Sequence, residues 1–173
     1  MRDRATPAFT LLEVLVCIAI VAIVIAILIP VGRGMIRRSE SVACMSNMRN
    51  LIPVLNVYVQ DKGYWPQEPQ AIKDSGDEAA HEDFWINEFL PYGVSEKSWQ
   101  CPTIRRLVSS ADKDGRPRLH YTPTGFDSNA ATPYKWSTQP WFVEIGNMHG
   151  KGAYICFPDG SIKTMNDLLP AGQ

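Results

Sequence analysis

The chain has 173 residues and a formal net charge of −1, which leaves room for one modest domain plus an anchor. So even a balance gives no electrostatic basis for binding nucleic acid or another polyanion. Apolar residues are concentrated between Leu11 and Val31, while the remainder is polar and rich in Pro, Gly, Trp and Tyr, as suits a small extracytoplasmic domain.

The run LLEVLVCIAIVAIVIAILIPV meets the requirement of roughly 20 apolar residues for a bilayer span. In lipid a single segment can satisfy its backbone only as a helix. Arg2 and Arg4 precede it and Arg33, Arg37 and Arg38 follow, so the positive-inside rule sets no orientation. A secretory signal peptide would have a shorter apolar core and a small-residue cleavage site after it, and the run instead ends in Ile-Leu-Ile-Pro-Val. A plain signal anchor leaves Glu13 unexplained. A carboxylate inside an apolar span costs on the order of 3 kcal/mol near the helix centre and less near an end. Such a residue calls for a partner.

Ala8-Phe9-Thr10-Leu11-Leu12-Glu13 resembles the type IV prepilin processing motif. The resemblance implies cleavage between Ala8 and Phe9 by prepilin peptidase, N-methylation of Phe9, and an assembly role for Glu13. In that role Glu13 of one subunit neutralises the N-terminal amine of its neighbour and sets register, the best-attested use of buried charge pairs. Pro30 falls where such proteins commonly carry a helix-kinking proline. Ala8 departs from the glycine usual before the cleavage site.

Beyond Pro30, Met45, Met48, Ile52, Leu55 and Val59 recur at three- and four-residue steps, with Leu51 and Tyr58 widening the stripe. This predicts an amphipathic helix facing a core, ended by Gly63 and Pro66. Pro53 should kink or split it. The segment from Cys44 through Tyr58 and Gly63-Tyr64-Trp65-Pro66 is similar to the region after the anchor in pseudopilin-like proteins. Residues 67–80 read as a solvated loop, and Phe84, Trp85, Phe89 and Leu90 as a short helix closed by Pro91-Tyr92-Gly93. His81-Glu82-Asp83 reads as its polar first turn, where acids suit the dipole.

Trp99-Gln100-Cys101-Pro102 resembles the Cys-Pro element of the same family. Residues 109–118 read as a charged loop and 121–140 as irregular strands and turns. Residues 153–157 and 161–165 read as two short strands around Pro158-Asp159-Gly160. Gly160 supplies a positive φ and Asp159 bonds its own turn. His149, Asp159 and Gly160 resemble the His-x9-Asp-Gly element found near the end of many prepilin-processed proteins. A histidine that fixes hairpin packing is the leading reading of His149, with ligand or metal binding second.

The four cysteines, Cys17, Cys44, Cys101 and Cys156, form no CxxC pair, which removes zinc-ribbon and thioredoxin-like readings. In a chain outside the cytoplasm a Cys44–Cys101 disulfide is the candidate pairing, although sequence does not determine connectivity. Major pseudopilins bind calcium in a C-terminal loop. Calcium takes six to eight oxygen ligands, and Asp127, Asn129 and Asp159 are candidates by composition alone. No cofactor is required by the sequence. It has no GxSxG, HExxH or P-loop, so no enzyme is expected.

The expected fold is α+β and pilin-like, with a long N-terminal transmembrane helix whose C-terminal half packs on a small antiparallel sheet with irregular loops. Residues 1–8 are the leader, 9–31 the transmembrane assembly helix, 32–62 its amphipathic periplasmic half, and 63–173 the globular domain. The expected function is that of a structural subunit of a type II secretion pseudopilus or related type IV filament. It is held in the bacterial inner membrane before assembly, with its globular domain periplasmic. The expected partners are prepilin peptidase, other pilin or pseudopilin subunits, the inner-membrane assembly platform and the lipid bilayer. The competing reading is an anchored envelope protein whose extracytoplasmic domain binds a ligand such as a glycan. Trp65, Trp85, Trp99, Trp136 and Trp141 would permit that, or would simply pack a small domain.

Overall fold

The computed structural model describes residues 10–108 and 117–169. The leader, Ala8 and Phe9 lie outside the described residues, as does most of the loop expected at 109–118. The chain forms two compact units, Met1–Arg38 and Ser39–Gln173.

Helix α1 runs from Leu11 to Lys62. Neither Pro30 nor Pro53 divides it, although each removes one N–H from the helical ladder. Pro53 therefore does not split the helix. Gly63, at φ 77°, ends it. In the first unit the apolar side chains from Leu11 to Val31 are exposed on every side of the helix, so none of the described residues of this unit covers them.

In the second unit Cys44, Met48, Leu51, Ile52, Leu55, Tyr58 and Val59 of α1 are buried. The stripe is the expected one, displaced at its start: Cys44 is fully buried and Met45 only partly so. This stripe is part of the core of the unit Ser39–Gln173.

Residues 67–80 are not simply a loop. They carry α2, Gln70–Ser75, and the start of α3, Glu78–Phe89. Asp77 caps α3 by accepting hydrogen bonds from the N–H groups of Ala79 and Ala80, satisfying two donors that a helix start leaves free. The short helix expected around Phe84 thus begins earlier, and His81 to Asp83 lie within it. There His81 Nδ1 is 2.6 Å from Glu68, and Glu82 and Asp83 hold Arg118. A 3₁₀ turn over Leu90–Tyr92 ends at Gly93, and α4 spans Pro102–Val108.

Strands β1 (Tyr121–Pro123), β2 (Phe142–Glu144), β3 (Tyr154–Cys156) and β4 (Ile162–Thr164) form an antiparallel meander in chain order. The β3–β4 hairpin follows the expected turn. Gly160 sits at φ 75°, and Asp159 Oδ1 accepts from the Ser161 N–H at 2.8 Å. Helix α5, Met165–Leu168, starts with a reciprocal capping box between Thr164 and Asp167.

Aromatic rings tie α1 and α3 to the sheet. Tyr58 packs on Phe89 at 5.4 Å, Phe89 on Trp99 at 5.6 Å and Trp99 on Phe142 at 5.9 Å. Such pairs contribute about 0.5–1.5 kcal/mol each beyond burial. Trp65, Trp85, Trp99 and Trp141 are buried and only Trp136 is exposed. Four of the five tryptophans are therefore core residues, which removes the aromatic surface that the ligand-binding reading drew upon.

Candidate functional site

Two places carry chemistry, one in each unit. In the first, Thr10 caps α1: its Oγ1 and its carbonyl both accept from the Glu13 N–H, at 3.3 and 3.1 Å. Glu13 lies in the first helical turn, where a negative charge complements the helix dipole. Its side chain is exposed, and among the described residues its carboxylate accepts no hydrogen bond. An acid is thus held at the start of the exposed apolar stretch Leu11–Val31 of α1, with its carboxylate available to a partner outside the unit. The helix is long and apolar enough to cross a membrane, and none of its most apolar stretch is buried.

The second place lies inside the domain, where Cys44, Cys101, Glu144 and His149 converge. One donor atom from each lies within 4.8 Å of all the others. Helical spacing puts Cys44 on the buried stripe with Met48 and Leu51. Cys101 directly precedes α4 and is held by its backbone N–H, which donates to His120 Nδ1 at 2.8 Å. Strand alternation puts Glu144 on the same face as Phe142, and pairing with β1 sets Tyr121 opposite it. His149 comes from the β2–β3 loop, its ring stacked on Tyr154 at 4.8 Å.

The Cys44 thiol donates to Glu144 Oε1 at 2.9 Å, and His149 Nε2 lies 3.1 Å from that oxygen and 3.3 Å from Cys101 Sγ. Glu144 Oε2 accepts from the Tyr154 N–H at 3.3 Å. The Tyr121 hydroxyl reaches both the carbonyl and the sulfur of Cys44 at 3.3 Å. The contact between the two sulfurs, which favours the anion on Cys101, pulls that thiol down to about 7 against its burial. The same contact, reinforced by burial and Glu144, pushes Cys44 up. Burial raises Tyr121 and lowers His120.

The structure brings Cys44 and Cys101 together, as the candidate pairing required, but both are free thiols. In the structure no S–S bond joins them: the Cys44 sulfur is turned toward the Glu144 carboxylate and the Cys101 sulfur lies beside His149. Cys17 is exposed on the apolar helix and Cys156 is buried apart from this cluster. His149 does pack against the hairpin through Tyr154, yet its ring nitrogen faces the thiols and carboxylate. Asp159 stays at its own turn, and the Gly160 carbonyl accepts from Arg49 Nε at 3.1 Å. The two ends of the His-x9-Asp-Gly spacing therefore do separate jobs. Asp127 and Asn129 likewise accept from nearby backbone N–H groups.

Glu144 escaped the sequence reading. Its signal was an acid inside Trp141-Phe142-Val143-Glu144-Ile145, at the alternation position shared with buried Phe142.

Among protein families, the prokaryotic N-terminal methylation motif matches residues 4–29. No curated protein and no solved structure matches the chain. The matched stretch contains the Ala8–Phe9 junction, Glu13 and most of the apolar run, the residues on which the prepilin resemblance rests. The N-terminal segment thus carries a prokaryotic N-terminal methylation motif, and it is through this segment that the chain resembles type IV pilin-like proteins.

Proposed function

We propose that this protein is a structural subunit of a type II secretion pseudopilus or a related type IV filament, without catalytic activity of its own. Prepilin peptidase removes residues 1–8, Phe9 becomes the methylated N-terminus, and α1 holds the chain in the inner membrane with its globular unit outside the cytoplasm. Assembly transfers the apolar helix from lipid to a bundle of neighbouring helices recruited by the assembly platform. There Glu13 meets the N-terminal amine of an adjacent subunit. Two charges that would each be costly in an apolar medium then neutralise each other.

The observation that carries this reading is the methylation motif over residues 4–29, on a helix whose apolar surface is covered by none of the described residues of its own unit. The test is the intact mass of the mature chain from native membranes. A chain that begins at methylated Phe9 supports the reading. A chain that retains Met1, in a host with an active prepilin peptidase, overturns it.

A further inference from the structure

We propose that Cys44, Cys101, Glu144 and His149 form a tetrahedral site for a single zinc-class ion inside the globular unit. This role is independent of filament assembly. The four side chains come from α1, the residue before α4, β2 and the β2–β3 loop, so the fold itself assembles the set. Thiolate sulfur, imidazole nitrogen and carboxylate oxygen are all donors that zinc takes, and four of them complete its tetrahedral shell.

The distances fit. Zinc bonds of about 2.3 Å to sulfur and about 2.0–2.2 Å to nitrogen and oxygen place tetrahedral donors about 3.4–3.8 Å apart. Here the separations are 2.9 Å for Cys44 Sγ to Glu144 Oε1, 3.1 Å for Glu144 Oε1 to His149 Nε2 and 3.3 Å for Cys101 Sγ to His149 Nε2. The remaining separations among the four donor atoms lie within 4.8 Å, so an ion at the centre moves the close pairs apart and draws the wider ones in, by about 1 Å or less.

Burial makes the case stronger. The Glu144 side chain is 0% exposed and that of His149 4%, and among the described residues no Lys or Arg pairs with this carboxylate. A buried carboxylate calls for a charge partner, and a divalent cation supplies one. The surrounding contacts also hold the ligands in place, as second-shell groups do at metal sites. Tyr121 reaches the Cys44 sulfur, the Tyr154 N–H fixes the second Glu144 oxygen, and the Tyr154 ring supports His149. Soft sulfur donors select zinc-like ions over calcium and magnesium, which prefer oxygen. Binding releases the two thiol protons to solvent as four metal–ligand bonds replace water ligands of the ion, with no change of oxidation state.

The test uses the full chain in detergent, reduced and freed of metal, titrated with cobalt(II). One cobalt per chain is expected, with tetrahedral d–d bands, a thiolate-to-cobalt charge-transfer band, and displacement by one equivalent of zinc. With zinc present, Cys44 and Cys101 should resist alkylation while Cys17 still reacts. Cys44→Ser and His149→Gln should each weaken binding by more than the 10–100-fold typical of a second-shell change, and Cys17→Ser should leave it unchanged. Absence of the thiolate–cobalt spectrum from wild-type chain whose cysteines are all reduced overturns the proposal, and that result does not depend on whether a variant folds. A Cys44–Cys101 disulfide in the chain isolated from native membranes without reductant overturns it as well.

Discussion

Glu13 is the residue that separates an assembly helix from an ordinary anchor. Thr10 caps the helix through the Glu13 backbone N–H, so replacing the side chain with alanine leaves that cap in place. Glu13→Ala should therefore insert into the membrane as the wild type does and yet fail to enter filaments. Sheared-filament and membrane fractions measure the two separately. Normal incorporation would remove the charge pairing. Glu40 offers a second test. It accepts from Arg106 Nε at 2.7 Å and Nη2 at 2.9 Å, and from Thr103. The Arg106 guanidinium holds its carboxyl below the ordinary value of 4.5. A lowered folded-state value contributes stability above 4.5 that is lost as pH falls through the folded value. Glu40→Gln should thus be less stable than wild type near neutrality, and the gap should close only as pH falls below 4.5. Thermal unfolding followed at several pH values measures it.

At the scale of elements, the β3–β4 hairpin and the loop before it depend on glycines for different reasons. Gly160 and Gly152 both have positive φ, at 75° and 90°. A Cβ at Gly160 would meet nothing within 4 Å, whereas one at Gly152 would lie 3.1 Å from the Asn166 backbone nitrogen and 3.2 Å from Met165 Cβ. Gly160→Ala should cost about 1–2 kcal/mol, the penalty of a left-handed backbone. Gly152→Ala should cost more, because steric pressure on α5 adds to that penalty. Denaturant unfolding of the two variants side by side gives the order, and equal losses would contradict the steric term. The hairpin was legible in Pro158-Asp159-Gly160 because turn chemistry is local. Helix α2 was missed because its six residues have no apolar face: none of them is buried.

At the scale of the whole molecule, every residue of the core cluster lies at or beyond Cys44, within the unit Ser39–Gln173. The apolar run contributes nothing to that core. Residues 39–173 should therefore fold as a soluble monomer with native near-UV circular dichroism. Aggregation or loss of the aromatic signal would show that the first unit is needed for folding.

The N-terminal segment was determined by sequence alone, because its physics is local: a run of apolar residues, one acid and a junction are properties of consecutive residues. The amphipathic stripe of α1 was determined in the same way by helical period, and the last hairpin by its turn residues. The cluster in the globular unit was decided by tertiary structure. Cys44, Cys101, Glu144 and His149 are spread over more than a hundred positions, and no spacing rule joins them. Helix period turned Cys44 inward, strand alternation buried Glu144, and the β2–β3 loop returned His149 onto Tyr154. Only the packing of these elements on one core placed two thiols beside a carboxylate and an imidazole, where sequence had offered a disulfide.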